Sequence, residues 1–177
     1  MKGDIINAKW AKNARQQIEA AITEWNSTHP KKEPIRIAWG HGDAELAEDE
    51  RCSPARKRRQ FGLLDWSDET FEMWIWPARR DEPALCHIMT EFPEIHTLPL
   101  VPKPLYNLLS DCSEGTSLRL LPNHEKDEIV LLGLGAFISS EGLTGRVLHD
   151  LLCRLLESHI AILERLEGED CLDHWTD

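Results

Sequence analysis

Asp127-Glu-Ile-Val-Leu-Leu-Gly-Leu-Gly-Ala-Phe-Ile138, then Ser139-Ser-Glu-Gly-Leu-Thr-Gly145, then Arg146-Val-Leu-His-Asp-Leu-Leu-Cys-Arg-Leu-Leu-Glu-Ser-His-Ile-Ala-Ile-Leu-Glu-Arg-Leu166 is the stretch that decides the fold class. The first part is apolar on both faces, as a strand in the interior of a sheet must be, with Ile129, Leu131 and Phe137 alternating with Val130, Leu132, Leu134 and Ile138. Gly133 and Gly135 sit where a bulge or a close backbone approach is expected. The second part breaks the strand and offers capping groups. From about Leu143 to Leu166 the period changes to that of a helix. Val147, Leu148, Leu151, Leu152, Leu155, Leu156, Ile160, Ile162, Leu163 and Leu166 form a stripe wider than one sheet contact requires, which leaves area for a second contact.

Upstream, Ser117–Leu121 is a shorter apolar run joined to this strand by Pro-Asn-His-Glu-Lys, a connection of hairpin length. Leu105 to Ser110 reads as a short helix whose start tolerates Pro104, and Pro93, Pro99 and Pro102 punctuate an extended connection before it. Glu69 to Trp76 and Ala84 to Glu91 read as a hairpin around Arg79-Arg-Asp-Glu-Pro83. At the other end, Trp10, Ala14, Ile18, Ala21, Ile22 and Trp25 share a helical face over Ala8 to Asn26, with Lys12, Arg15, Gln16, Glu19 and Glu24 pointing elsewhere. That helix ends before Pro30, and Ile35 to Trp39 adds a strand. The order α-β-β-β-α-β-β-α, closed by a long C-terminal helix, implies an α+β fold with helices segregated to one face of an antiparallel sheet.

A chain of 177 residues, 41 % of them apolar, is expected to form a single domain over residues 1–177. Between about 41 and 60 an acidic block, Asp43-Ala-Glu-Leu-Ala-Glu-Asp-Glu50, abuts a basic one, Arg56-Lys-Arg-Arg59. This reads as a charged, mobile insert, and the acidic tail from 167 as frayed. Thirty-one acidic against twenty basic residues give a formal charge of −11, which repels phosphates and anionic membranes and favours basic or neutral partners. The longest apolar stretch is too short to span a bilayer, and no apolar run follows Met1-Lys-Gly-Asp, so a cytoplasmic location is expected. Cys52, Cys86, Cys112, Cys153 and Cys171 are odd in number, widely spaced and free of CxxC, as expected of reduced thiols.

No constellation in the sequence carries catalysis. His149 and Cys153 share a helical face at i and i+4, but two ligands without a third do not make a metal site, and the adjacent Cys86 and His87 point to opposite sides of a strand. Trp39-Gly-His-Gly-Asp43 has no nucleophile in an elbow nearby, and Gly133-Leu-Gly135 lacks the third glycine and helix start of a nucleotide fingerprint. The expectation is a protein without cofactor, metal or enzymatic activity.

The aromatic pattern says more. Phe71, Met73 and Ile75 alternate with Glu72, Trp74 and Trp76, so packing helices on one face leaves two indoles on the other. Large rings presented in this way suit a binding surface for a peptide. They could equally be covered by the neighbouring insert or by a subunit partner.

Tyr106-Asn-Leu-Leu-Ser-Asp-Cys-Ser-Glu-Gly-Thr-Ser-Leu-Arg-Leu120, Glu128-Ile-Val-Leu-Leu-Gly-Leu134 and Gly142-Leu-Thr-Gly-Arg-Val-Leu-His-Asp-Leu-Leu152 resemble the type III secretion chaperones (the Tir chaperone family) and YbjN-like proteins. The likeness lies in the order of elements over about two-thirds of the chain, and residues 40 to 66 have no counterpart in it. It implies a small acidic homodimer that holds an extended segment of a partner protein, with Trp74 and Trp76 as peptide-binding residues. By the same likeness Leu105, Leu108 and Leu109, on the short helix, would form the dimer interface. The alternative is a regulatory or structural subunit of a larger assembly, whose apolar area is permanently buried.

Overall fold

In the computed structural model of the protein, residues 9–40, 60–76, 83–99 and 108–167 are described. They form α1 (Lys9–Thr28), β1 (Arg36–Trp39), β2 (Gln60–Trp66), β3 (Glu69–Trp76), β4 (Leu85–Pro99), β5 (Thr116–Asn123), β6 (Glu128–Ser139) and α2 (Gly145–Glu167). The class is α+β, and hydrogen-bonded neighbours in the six-stranded sheet run β1-β2-β3-β4-β6-β5. One strand enters that the sequence reading did not contain: Gln60–Trp66 pairs antiparallel with both β1 and β3. Of the charged insert expected at about 41–60, Gln60 therefore belongs to the sheet, while 41–59 and the tail beyond 167 lie outside the described residues.

The chain forms two compact units, and β4, β6 and α2 each run from one into the other. In the first, α1 buries Ala11, Ala14, Ile18, Ala21, Ile22 and Trp25, as its periodicity demands. Its end is pinned by Asn26, whose amide donates to the Ile35 carbonyl at 2.8 Å and accepts from the Ile35 N–H at 2.9 Å, an imitation of a strand partner. Opposite α1, Leu64, Phe71, Met73 and Ile75 are fully buried on one side of β2 and β3. The two strands turn through Ser67 and Asp68, both left-handed with φ of 58° and 59°, the geometry of a tight two-residue hairpin.

The start of α2 belongs to the same unit. Thr144 caps it, its hydroxyl accepting from the Val147 N–H at 3.3 Å, and Glu24 of α1 accepts from the Gly145 N–H at 2.9 Å. Gly145 lies against α1 itself: a Cβ there would stand 2.5 Å from the Ala21 carbonyl oxygen and 2.6 Å from the Trp25 nitrogen. Glycine is what lets the two backbones touch.

In the second unit β5 and β6 pair from Thr116↔Ala136 to Asn123↔Glu128, with a register shift between Arg119 and Leu120. Arg119 faces Gly133 and Leu120 faces Leu131, so Leu132 is the extra residue of a bulge. Gly133 takes φ of 146°, and a Cβ on it would collide with the Thr90 carbonyl and lie 2.8 Å from the Glu91 Cα. The close backbone approach expected here is met at Gly133, and the bulge falls on its neighbour Leu132. The bulge also reverses the alternation: Ile129 and Leu131 are buried before it, Leu134 and Ala136 after it. Phe137, grouped by strict alternation with Ile129 and Leu131, is instead 58 % exposed. The later part of α2 buries Leu151, Leu152, Leu155, Ser158, His159 and Ile162. Ile160 and, in the first turns of the helix, Val147 remain exposed at the margins of the wide stripe.

Candidate functional site

The face of the first unit's sheet turned away from α1 is the candidate site. Cross-strand pairs share a face, so the register Leu63↔Glu72 and Phe61↔Trp74 places these four side chains together, opposite the buried Leu64, Phe71, Met73 and Ile75. Trp76 follows Trp74 at the next position of the same face, and both are half-buried. Alternation in β4 sets Leu85 and His87 against the buried Cys86 and Ile88, and the His87 ring stacks on Phe137 with centroids 4.0 Å apart. Leu85 is 41 % exposed.

Trp74 is held in place by its own sheet. Its ring meets Phe61 at 4.6 Å, and its Nε1–H donates to Glu72 Oε2 at 3.1 Å. The half-coverage that the sequence reading assigned to the insert or to a subunit partner is thus supplied in part by β2. Phe61 and Leu63 were missed because Gln60 and Gly62 occupy the inward positions of that strand and erase the usual apolar alternation. The face combines anchored rings, open aliphatic surface and the carboxylates of Glu72 and Asp65. It can desolvate apolar side chains and orient a donor.

Several polar side chains inside the units have structural partners. Arg15, read from sequence as pointing away from the core, turns under the sheet instead. Its Nη2 donates to the buried Gln60 at 2.6 Å and its guanidinium lies 4.7 Å from the Trp39 ring centroid, while Trp39 Nε1–H donates to Glu19 at 2.7 Å. Burial lowers the Arg15 pKa, opposed by the charge of Glu19. In the second unit the buried Thr90 hydroxyl lies 3.0 Å from His159 Nδ1, and Ser158 Oγ accepts from the Ser113 N–H at 2.8 Å. Arg165 forms a two-point ion pair with Asp111. The Cys86 thiol is pushed up to about 12 by burial, so it is a poor nucleophile at neutral pH.

The residues named for a dimer interface fare differently. Leu105 lies outside the described residues, Leu108 is fully buried in its own chain, and Leu109 is 45 % exposed. Leu108 therefore has no surface to offer a second subunit in this conformation, because its side chain fills the core beneath the helical turn at 108–110. His149, paired by sequence spacing with Cys153, stacks on Trp25 of α1 at 3.8 Å. Among the described residues no group of three or more His, Cys, Asp or Glu side chains is placed to hold a metal ion. Among them, too, no helix is long and apolar enough to cross a membrane. Comparison of the chain with protein-family models, with curated proteins and with solved structures gives no match.

Proposed function

We propose that this protein is a non-enzymatic, peptide-binding chaperone or adaptor that holds an extended segment of a partner on the sheet face bearing Trp74 and Trp76. The observation that carries this reading is the placement of both indoles, with Phe61, Leu63 and Leu85, on the side of the sheet opposite α1. Rings braced by neighbouring side chains lose little freedom when a ligand covers them, so most of their desolvation gain appears as affinity. Among the described residues no strand pairs with the outer edge of β1, which borders the same face, and strand addition there would align a peptide's alternate side chains with the aromatic row. At the other edge, Pro122 removes a backbone donor from β5 and makes it the poorer template. The net charge of −11 favours a partner with basic residues beside its apolar ones.

The protein works, in this reading, as a cytoplasmic homodimer, with Leu109 on the subunit contact. The test is a panel of extended peptides combining apolar and basic residues, presented to the purified chain. The Trp74→Ala/Trp76→Ala double variant, folded by circular dichroism, is expected to bind the selected peptides at least tenfold more weakly, about 1.4 kcal/mol or more. Unchanged binding would remove the tryptophan face from the reading. The competing role, a subunit of a larger assembly, is favoured if light scattering of the isolated chain shows aggregation in place of a discrete dimer.

A further inference from the structure

The first unit holds a second ordered aromatic cluster, away from the peptide face and at the joint of α1 with α2. Trp25, 4 % exposed, is sandwiched between two imidazoles: His29 at 3.8 Å and 21°, and His149 at 3.8 Å and 18°. Trp66 of β2 meets the His149 ring edge-on at 5.0 Å, and Lys32 Nζ lies 5.7 Å from the Trp25 ring centroid. One turn before His149 is the backbone contact of Gly145 with α1, closed by the Glu24 carboxylate on the Gly145 N–H.

We infer that this stack is a proton-sensitive lock on the α1–α2 joint, closed while His149 is neutral and loosened when it takes up a proton. The charges that face it decide the direction. From α1 and the loop after it come His29 and Lys32; from β2 comes only the uncharged Trp66; on α2 itself Asp150 Oδ1 lies 3.6 Å from His149 Nδ1. Asp150 is also engaged by Arg146 at 3.8 Å, and Glu24 by the start of α2. A single imidazolium on an indole face would be attracted by the ring. Here the new cation is taken from water into a stack that already has Lys32 at one side and a second histidine on the opposite face.

The pKa of His149 agrees in direction. Burial lowers it from the ordinary 6.5; the hydrogen bond and charge of Asp150 oppose this, and Lys32 and His29 add to it. The open joint therefore binds the proton more readily than the closed one. Stability of the joint is complete above the ordinary value of 6.5, falls as the pH drops from there to the closed-state pKa, and levels below it.

The experiment combines NMR titration of the His149 Cε1–H with hydrogen exchange at the amides of Gly145 to Leu148, on the full chain. Wild type is expected to titrate His149 below 6.5 and to lose protection in the first turn of α2 as the pH falls below 6.5, after correction for intrinsic exchange rates. The loss amounts to about tenfold for each unit of pKa difference between closed and open joint. His149→Phe keeps a stacking ring and should abolish the pH dependence. The lock is refuted if His149→Phe retains it, or if wild-type His149 titrates at or above 6.5. Should His149→Phe fail to fold, Lys32→Met decides: it removes a cation from beside the stack and should raise the His149 titration midpoint, and no movement overturns the inference.

Discussion

Gly145→Ala is the substitution whose effect follows most directly from the geometry. Alanine is the better helix former, worth up to about 1 kcal/mol in a helix interior and less at the first helical residue, so propensity alone predicts a small gain. The structure predicts a loss. The added Cβ would lie 2.5 Å from the Ala21 carbonyl oxygen, 2.6 Å from the Trp25 nitrogen and 2.9 Å from the Trp25 Cβ. The two closest are backbone atoms, so no rotamer change relieves them, and α2 must move off α1. Overpacking of this kind costs about 1–3 kcal/mol. Shifting the helix also weakens the 2.9 Å bond from the Gly145 N–H to Glu24. After the propensity gain a net loss of about 1–2 kcal/mol remains, or roughly 2–8 °C in Tm for a chain of this size.

Thermal unfolding followed by circular dichroism measures the effect, with urea unfolding to confirm that the m value is unchanged. Gly142→Ala is the companion variant. Nothing lies within 4 Å of its Cβ position, so its cost is confined to a φ of 74°, about 1 kcal/mol. A Gly145→Ala protein as stable as wild type, or more so, would refute the claim that the two helices meet backbone to backbone at this residue.

Two further substitutions probe other joints of the fold. The β2–β3 turn holds Ser67 and Asp68 in left-handed conformations, so Ser67→Asn with Asp68→Gly is expected to stabilise the protein by about 1 kcal/mol in urea unfolding. Gln60→Leu removes the acceptor of the Arg15 guanidinium and should cost about 1–3 kcal/mol, whereas Arg15→Leu/Gln60→Leu should cost less than the sum of the single changes, as a double-mutant cycle would measure.

Where neighbours along the chain decide the structure, the sequence alone determined it. The alternation of Phe71, Met73 and Ile75 with Trp74 and Trp76 gave β3 its exact bounds and its two faces, because a strand's side-chain period is a local property. The periodicity of α1 named nearly all its buried residues for the same reason, and the break before α2 could be read from Ser139 to Gly145, although the helix begins at Gly145 and not at Leu143. The aromatic half of the candidate site was legible on the same grounds. Tertiary structure decided the rest, through contacts between residues far apart in the chain. β2 emerges only once β1 and β3 flank it, since its inward positions are held by Gln60 and Gly62, the one bonded to Arg15 and the other covered by Trp39. Phe137 turns outward because the bulge at Leu132 reverses the face of everything after it, and Leu108 turns inward to fill a core. The His149 spacing pointed to Cys153, but folding set it on Trp25, some 120 residues earlier, because only the packed helices bring those rings to 3.8 Å.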